Sequence, residues 1–253
     1  MESNQSNAAA VRAFHVLELV AEHESGCTLS ELVQETRLPR QTVHRLVGQL
    51  ALSGLLIKEP NSRKVQLSHR LEHFATKVIM NGALRRERHA VLQSLVASTG
   101  ETCNLTALAG TDVVYLDRVE TSWQLKMSLA PGSHVPLHAT SSGKVLLSML
   151  PKAQRDRLLA LLPLRAFTEH TIVDRAALAT ELAESRRRRI GINRAEHLRG
   201  MNGIAVPVMV GRARACAAIA LQAPEARMTL EEMLGFAPLL TRAAQTIAET
   251  FLR

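Results

Sequence analysis

Aromatic residues are scarce in this chain: one Trp, one Tyr and five Phe among 253 residues. A stacking platform for single-stranded nucleic acid, which needs successive aromatic rings, is therefore not expected. Cysteine is rarer still. Cys27, Cys103 and Cys216 lie far apart, with no CxxC pair and no histidines at zinc spacing. That argues against a disulfide framework and against a structural zinc, and it points to a reducing, cytoplasmic compartment. No uncharged apolar run approaches the roughly 18 residues needed to span a bilayer. The first residues, MESNQSNAAAVR, are polar and lack the basic-then-apolar order of a signal peptide. No membrane partner is expected. Internal repeats and low-complexity segments are missing as well.

What is present is 46% hydrophobic residue, enough to bury real cores, and a net charge of +8. The length leaves room for one large domain or two small ones. A basic balance suggests an anionic partner, but its distribution matters more than its sum. Residues 1–80 are nearly neutral, with nine Lys and Arg against eight Asp and Glu. Within them the charge is sorted. Residues 18–35 hold five Glu and no base, whereas residues 37–70 hold Arg37, Arg40, Arg45, Lys58, Arg63, Lys64 and Arg70 against Glu59 alone. A small domain that is basic at one end and acidic at another suits a protein lying on a polyanion with one face.

The order of elements in this region is legible. Residues 8–23 place Val11, Phe14, Val16, Leu17, Leu19 and Val20 on one side at helical spacing, and Gly26 ends that helix. Thr28-Leu-Ser-Glu31 is a capping box opening a short second helix. Pro39 suits the start of a third, RQTVHRLVGQLALSG, which Gly54 stops. LLIKEPNSRKVQLS then reads as a β-hairpin with its turn at 59–63. Helix, helix, tight turn, helix and hairpin make a winged helix-turn-helix. In the third helix Val43, Leu46, Val47 and Leu50 form the buried stripe. Projection at about 100° per residue sets Gln41, Arg45 and Gly48 opposite, flanked by Thr42 and His44. Arg40, Gln41, Thr42, His44 and Arg45 are the candidates to read double-stranded DNA in the major groove, and Arg63 and Lys64 at the hairpin suit backbone contact.

Residues 69–99 read as helical with a break at Gly82, a linker helix and a dimer contact. Arg85-Arg86-Glu87-Arg88 reads as a solvated helix face. From residue 100 the pattern is mixed. Strands are predicted over 103–110 and 112–120, with another strand and a turn within 123–133. Helices follow over 142–150, 152–162 and 175–189, the last capped by Asp174 and ending in four Arg that complement the helix dipole. Apolar strands at 202–210 and 215–223 flank a turn at 211–214, and a single final helix starts from a Thr229 cap. The sum is an antiparallel sheet flanked by helices, α+β in class.

The stretch HATSSGKVLL, residues 138–147, resembles a phosphate loop but fails it at both ends. His138 stands where the first Gly is needed, and Val145 where a Ser or Thr would hold magnesium. No G-x-S-x-G elbow surrounds Ser141 or Ser142. His134, His138, His170 and His197 show no triad or metal spacing. No catalytic residue, cofactor or metal is assigned, and the chain is not expected to be an enzyme. Two readings of the stretch stay open. Ser141, Ser142 and Gly143 lie at a helix N-terminus, where free N–H groups favour an anion. The same residues also fit an ordinary serine cap with a close-packed glycine. Lys144 reads as a solvated or structural charge.

LSELVQETRLPRQTVHRLVGQL, VVYLDRVE, PLHATSSGKVLL, GINRAEHLRGMNGIAVPV and AAIALQAPEARMT, in this order and spacing, resemble the IclR family of bacterial transcription regulators. The resemblance runs from about Val11 to the last helix. It implies a winged helix-turn-helix DNA-binding domain at 8–68, a linker helix at 69–82 and a GAF-like effector-binding domain at 83–253. It further implies a homodimer or homotetramer, more often a repressor, that binds an operator under the control of a small organic ligand, expected here to be an acid because of the free N–H groups at Ser141 to Gly143. Effector residues carried over by the resemblance are Ser141 and Ser142, the segment from Asn193 to Glu196, and Gly203. Many members carry paired acids where this chain has Asn193, Arg194 and Ala195. Arg194 would favour an anionic ligand if it points inward. A second reading keeps the DNA reader and gives the C-terminal domain an oligomerising role alone.

Overall fold

The computed structural model describes residues 2–23, 26–59, 62–81, 84–124, 129–211 and 214–252. They fall into two compact units, Met1–Val78 and Ile79–Arg253. In the first, helix α1 (Glu2–Glu22) leads to a two-residue strand β1 (Cys27–Thr28), helices α2 (Leu29–Thr36) and α3 (Arg40–Leu52), strands β2 (Leu56–Lys58) and β3 (Lys64–Leu67), and helix α4 (His69–Asn81), which runs into the second unit. Thr28 caps α2: its Oγ1 accepts from the Glu31 N–H at 3.2 Å while the Glu31 carboxylate accepts from the Thr28 N–H at 2.6 Å. Arg37 closes α2 in the left-handed region, φ 55°, at the turn into α3.

Val43, Leu46, Val47 and Leu50 of α3 are buried with Val16, Val20, Leu32, Leu56 and Val65, as the helical spacing requires. Two features of the first unit depart from the sequence reading. The wing has three strands, in the order β1-β3-β2. Cys27 pairs Val65 and Thr28 pairs Lys64, a strand too short to show alternation. Gly26 approaches β3 so closely, at φ +71°, that a Cβ would lie 2.6 Å from the Val65 carbonyl oxygen. Val11 and Phe14 are 66% and 63% exposed rather than buried, because α1 meets the core only through its second half. The turn predicted at 59–63 includes residues 60 and 61, which lie outside the described residues, as do the Gly82 break, part of the strand and turn predicted within 123–133, and residues 212 and 213 of the 211–214 turn.

The second unit contains helix α5 (Arg85–Thr99), strands β4 (Thr102–Ala109), β5 (Asp112–Val119) and β6 (His134–Pro136), helices α6 (Ser141–Met149), α7 (Lys152–Leu161) and α8 (Arg175–Arg188), strands β7 (Gly191–Arg194), β8 (Met201–Val210) and β9 (Arg214–Pro224), and helices α9 (Leu230–Gly235) and α10 (Ala237–Glu249). The six strands form one antiparallel sheet, β6-β5-β4-β9-β8-β7. Leu92 and Leu95 of α5 and Leu240, Ala244 and Ile247 of α10 cover one face. Leu146 and Leu147 of α6 and Leu178 and Leu182 of α8 cover the other. A sheet buried on both faces explains why β8 and β9 read as nearly continuous apolar runs.

β6 and β7 are strands that the sequence reading did not assign. The final helix is two helices, not one: Pro238 sits in the first turn of α10, where a continuous helix would set its ring against the carbonyl of Leu234. The Thr229 cap holds, as a full capping box with Glu232. Arg88 is not solvated. It is buried with its guanidinium 4.8 Å from the Phe251 ring, and burial pulls its pKa below the ordinary value.

Candidate functional site

On α3, Arg40, Gln41, His44 and Arg45 are exposed and Thr42 is half-buried, on the side away from the core stripe. Nothing lies within 4 Å of a Cβ built at Gly48, so the helix backbone is open on that side. Arg63 is exposed beside the wing. Lys64 pairs across from Thr28, and its charge helps hold the Glu31 carboxyl below the usual range, after the larger effect of the bonds from Thr28. The five α3 side chains thus spread over the arc of the helix outside its core stripe, while Lys64 stands across from Thr28 at the start of α2. Arg70, which the sequence reading left unassigned, donates to the Ser53 carbonyl at 2.6 Å and secures the C-terminal end of α3.

In the second unit, a small cavity of about 20 Å³, partly open to solvent, lies between the sheet and the start of α6. It is lined by Asn104, Tyr115, Val135, Thr140, Ser141, Ser142, Asn193, His197, Gly203, Ala220 and Gln222. Thr140, not a serine, caps α6: its Oγ1 accepts from the Gly143 N–H at 3.2 Å and donates to the Pro136 carbonyl at 2.8 Å. That leaves the Ser141 and Ser142 hydroxyls and first-turn N–H groups at the cavity, since such N–H groups have no helical acceptor. All nine residues of α6 are buried. Two glycines allow this. A Cβ at Gly143 would lie 2.1 Å from the Leu137 carbonyl oxygen, and one at Gly191 would lie 2.1 Å from that of Ser141. Gly203 leaves room for the Ser141 hydroxyl, which would stand 3.3 Å from a Cβ there.

The polar lining is mainly donating. The Asn193 Oδ1 accepts the Glu196 N–H at 2.8 Å, so the Asn193 amide offers its N–H groups to the cavity. Burial pushes the Tyr115 hydroxyl up in pKa, with Arg118 opposing, and keeps it protonated. Burial pulls His197 down, helped by neighbouring His138, and keeps it neutral. His138 is itself lowered by burial, against the opposing bond of its Nε2 to the Arg165 carbonyl at 2.9 Å. Neither a carboxylate nor an ammonium group is among the lining side chains.

Lys144 is fully buried, not solvated. Its Nζ donates to Glu196 Oε1 at 2.6 Å, to the Ile192 carbonyl at 2.9 Å and to Glu181 Oε1 at 3.3 Å. It joins α6, α8 and the segment after β7 behind the cavity. Thr171 Oγ1 holds the Glu196 carbonyl at 2.6 Å, and Thr168 Oγ1 holds that of Ala195 at 2.8 Å. Ala195 adopts φ 53°, which aims Glu196 back toward Lys144. Of the residues carried over from the sequence, Ser141, Ser142, Asn193 and Gly203 meet at the cavity. Gly143 is pressed against Leu137, and Glu196 supports the wall from behind. Arg194 points outward, exposed, 3.4 Å from Glu181, because it alternates with Asn193 along β7. Asn104, Tyr115, His197 and Gln222 were missed as a set: they come from four separate segments, brought together by strand register and, for His197, by the connection after β7.

A winged helix-turn-helix followed by an antiparallel-sheet domain with a polar cavity is the build of a DNA-binding transcriptional regulator with an effector-binding domain. Residues 9–60 match the family model for the IclR helix-turn-helix domain, and residues 76–249 that for the bacterial transcriptional regulator IclR C-terminal region. The chain belongs to the IclR family of bacterial transcriptional regulators. It is 53% identical over 249 residues to the probable transcriptional regulator SauR of Cupriavidus necator, covering 98% of this chain and 99% of that one. It is 27% identical to the transcriptional repressor IclR of Escherichia coli, covering 93% and 87%. The structure of an IclR homolog from Microbacterium hydrocarbonoxydans complexed with 4-hydroxybenzoate superposes with a TM-score of 0.60 at 26% identity, covering 95% of this chain and 98% of that one. No helix among the described residues is long and apolar enough to cross a membrane.

Proposed function

We propose that the chain is a cytoplasmic repressor, working as a homodimer or homotetramer, whose operator binding is controlled by a small carboxylate-bearing effector held in the α6 cavity. One observation carries the reading: the cavity converges hydroxyl and N–H donors from α6, Asn193 and Tyr115 with no carboxylate among its lining side chains. Oriented donors at a helix N-terminus favour an anion without an arginine. The 4-hydroxybenzoate bound by the Microbacterium relative is a carboxylate, and the Escherichia coli relative is a repressor; both support the assignment. Ser141, Ser142 and Asn193 contact the ligand, Gly203 makes room for it, and Gly143 and Glu196 act by fixing α6 and the wall. Arg40, Gln41, Thr42, His44 and Arg45 read the operator, and Arg63 and Lys64 hold its backbone.

The test is calorimetry with a panel of small carboxylic acids, followed by operator gel shifts with any acid that binds. Binding that releases the operator is expected. Ser142→Ala should weaken the acid and leave operator affinity alone, while Arg45→Ala should cost about 1–3 kcal/mol of base discrimination. Operator binding indifferent to every acid would leave the C-terminal domain with an oligomerising role alone.

A further inference from the structure

Asn104 is 1% exposed, lies on β4 and lines the cavity. What fixes it is a β-bulge. The β4–β5 register runs Leu105 to Asp117 and then Thr106 to Tyr115, so Leu116 is an extra residue. A bulge re-aims the side chains that follow it. Leu116 and Asp117 therefore both turn to the α5 face, where Asp117 meets His89 at 2.9 Å. Arg118 turns to the cavity face, directly across from Asn104, and its Nη1 donates to Asn104 Oδ1 at 2.9 Å. A guanidinium has donors only. The amide orientation is thus chemically forced: oxygen toward Arg118, NH₂ away from it. No acceptor among the described residues takes those N–H groups.

We propose that Asn104 is a specificity-determining residue, with Arg118 as its positioning residue, and that it selects effectors carrying a second oxygen-rich group at the end opposite the carboxylate held by α6. The proposal rests on the effector reading above. Asn104 pairs with Ala220 and Ala220 with Ala205, two residues along β8 from Gly203. Two strand spacings and two residues of rise put Asn104 and Gly203 about 12 Å apart, with the Ser141 hydroxyl over the latter.

The experiment compares butyrate with succinate, and propionate with malonate, by calorimetry on the full-length protein, its Asn104→Asp variant and its Arg118→Gln variant. Asn104→Asp keeps shape and the Arg118 bond but swaps donors for a carboxylate. Arg118→Gln frees the amide to rotate. The wild type should prefer the bifunctional acid of a pair by tenfold or more, as for hydrogen bonds to a charged group. Both variants should lose that preference while keeping affinity for the monofunctional acid, and Asn104→Asp should keep the melting temperature within a few degrees. Equal wild-type affinity within each pair, or a preference that survives Asn104→Asp, would overturn the proposal and leave the effector reading standing. Binding of no acid by the wild type would overturn both.

Discussion

Lys144 Nζ and Glu196 Oε1 meet at 2.6 Å behind the cavity, the lysine with no solvent-exposed surface and the glutamate with 2%. The lysine is four residues into the helix whose first turn lines the cavity, and the glutamate holds Asn193 through its N–H. One ion pair thereby fixes two walls.

Removing one partner strands the other in the interior. Lys144→Met should destabilise the second unit by about 3–5 kcal/mol, because a buried carboxylate is left uncompensated. Pairing it with Glu196→Gln should recover much of that loss. Urea unfolding of both variants reads the difference, and equal losses would show that the pair is not energetically coupled.

Two glycines should respond in opposite ways to alanine. Gly143→Ala drives a methyl into the Leu137 backbone, 2.1 Å from its carbonyl oxygen, and should abolish stable folding of the second unit. Gly48→Ala meets nothing within 4 Å and should stabilise α3 by roughly 0.5–1 kcal/mol. The same methyl on the face of Arg45 should weaken operator binding. Melting curves and gel shifts on one sample separate the two effects.

His138 and His197 are both held below the ordinary 6.5. The unfolded chain therefore takes up their protons more readily than the folded one. Their neutral forms contribute fully above pH 6.5, and that contribution is lost as pH falls below it toward the folded values. The melting temperature should decline between pH 7.5 and 5.5, and His197→Asn should flatten the decline. Glu31 and Glu232, held low first by the backbone N–H groups of Thr28 and Thr229, add losses only below their ordinary 4.5. An unchanged slope in the variant would remove His197 from the account.

Thiol chemistry should follow burial. Burial pushes Cys103 up to about 12 and Cys27 up to about 11, so neither offers a thiolate near neutrality. Iodoacetamide on the native protein should label Cys216, which is half-buried, well before the other two. Mass spectrometry of peptides would show otherwise if Cys27 reacted at a comparable rate.

The winged helix-turn-helix was legible because its signals are local. A capping box needs only Thr28 and Glu31, and a buried stripe needs only the spacing of Val43, Leu46, Val47 and Leu50. The strands β4, β5, β8 and β9 were legible for the same reason, being long runs bounded by turns. β1, β6 and β7 were not. They have two to four residues each, too few to show alternation, and β1 and β6 are held by partners distant in sequence. The break before α10 was written in Pro238, a local signal that the sequence reading passed over.

The sequence by itself determined the class of protein, since periodicity, caps and turn residues act between near neighbours. It also named Ser141 and Ser142, which line the cavity. Only the tertiary structure decided what surrounds them. It sent Arg194 outward and Lys144 inward, because alternation along β7 and the close approach of Gly143 and Gly191 leave no other arrangement. It turned Arg118 toward Asn104 through one extra residue in β5. Such outcomes depend on strand register and on which backbones can touch, and no spacing within a single segment carries that information.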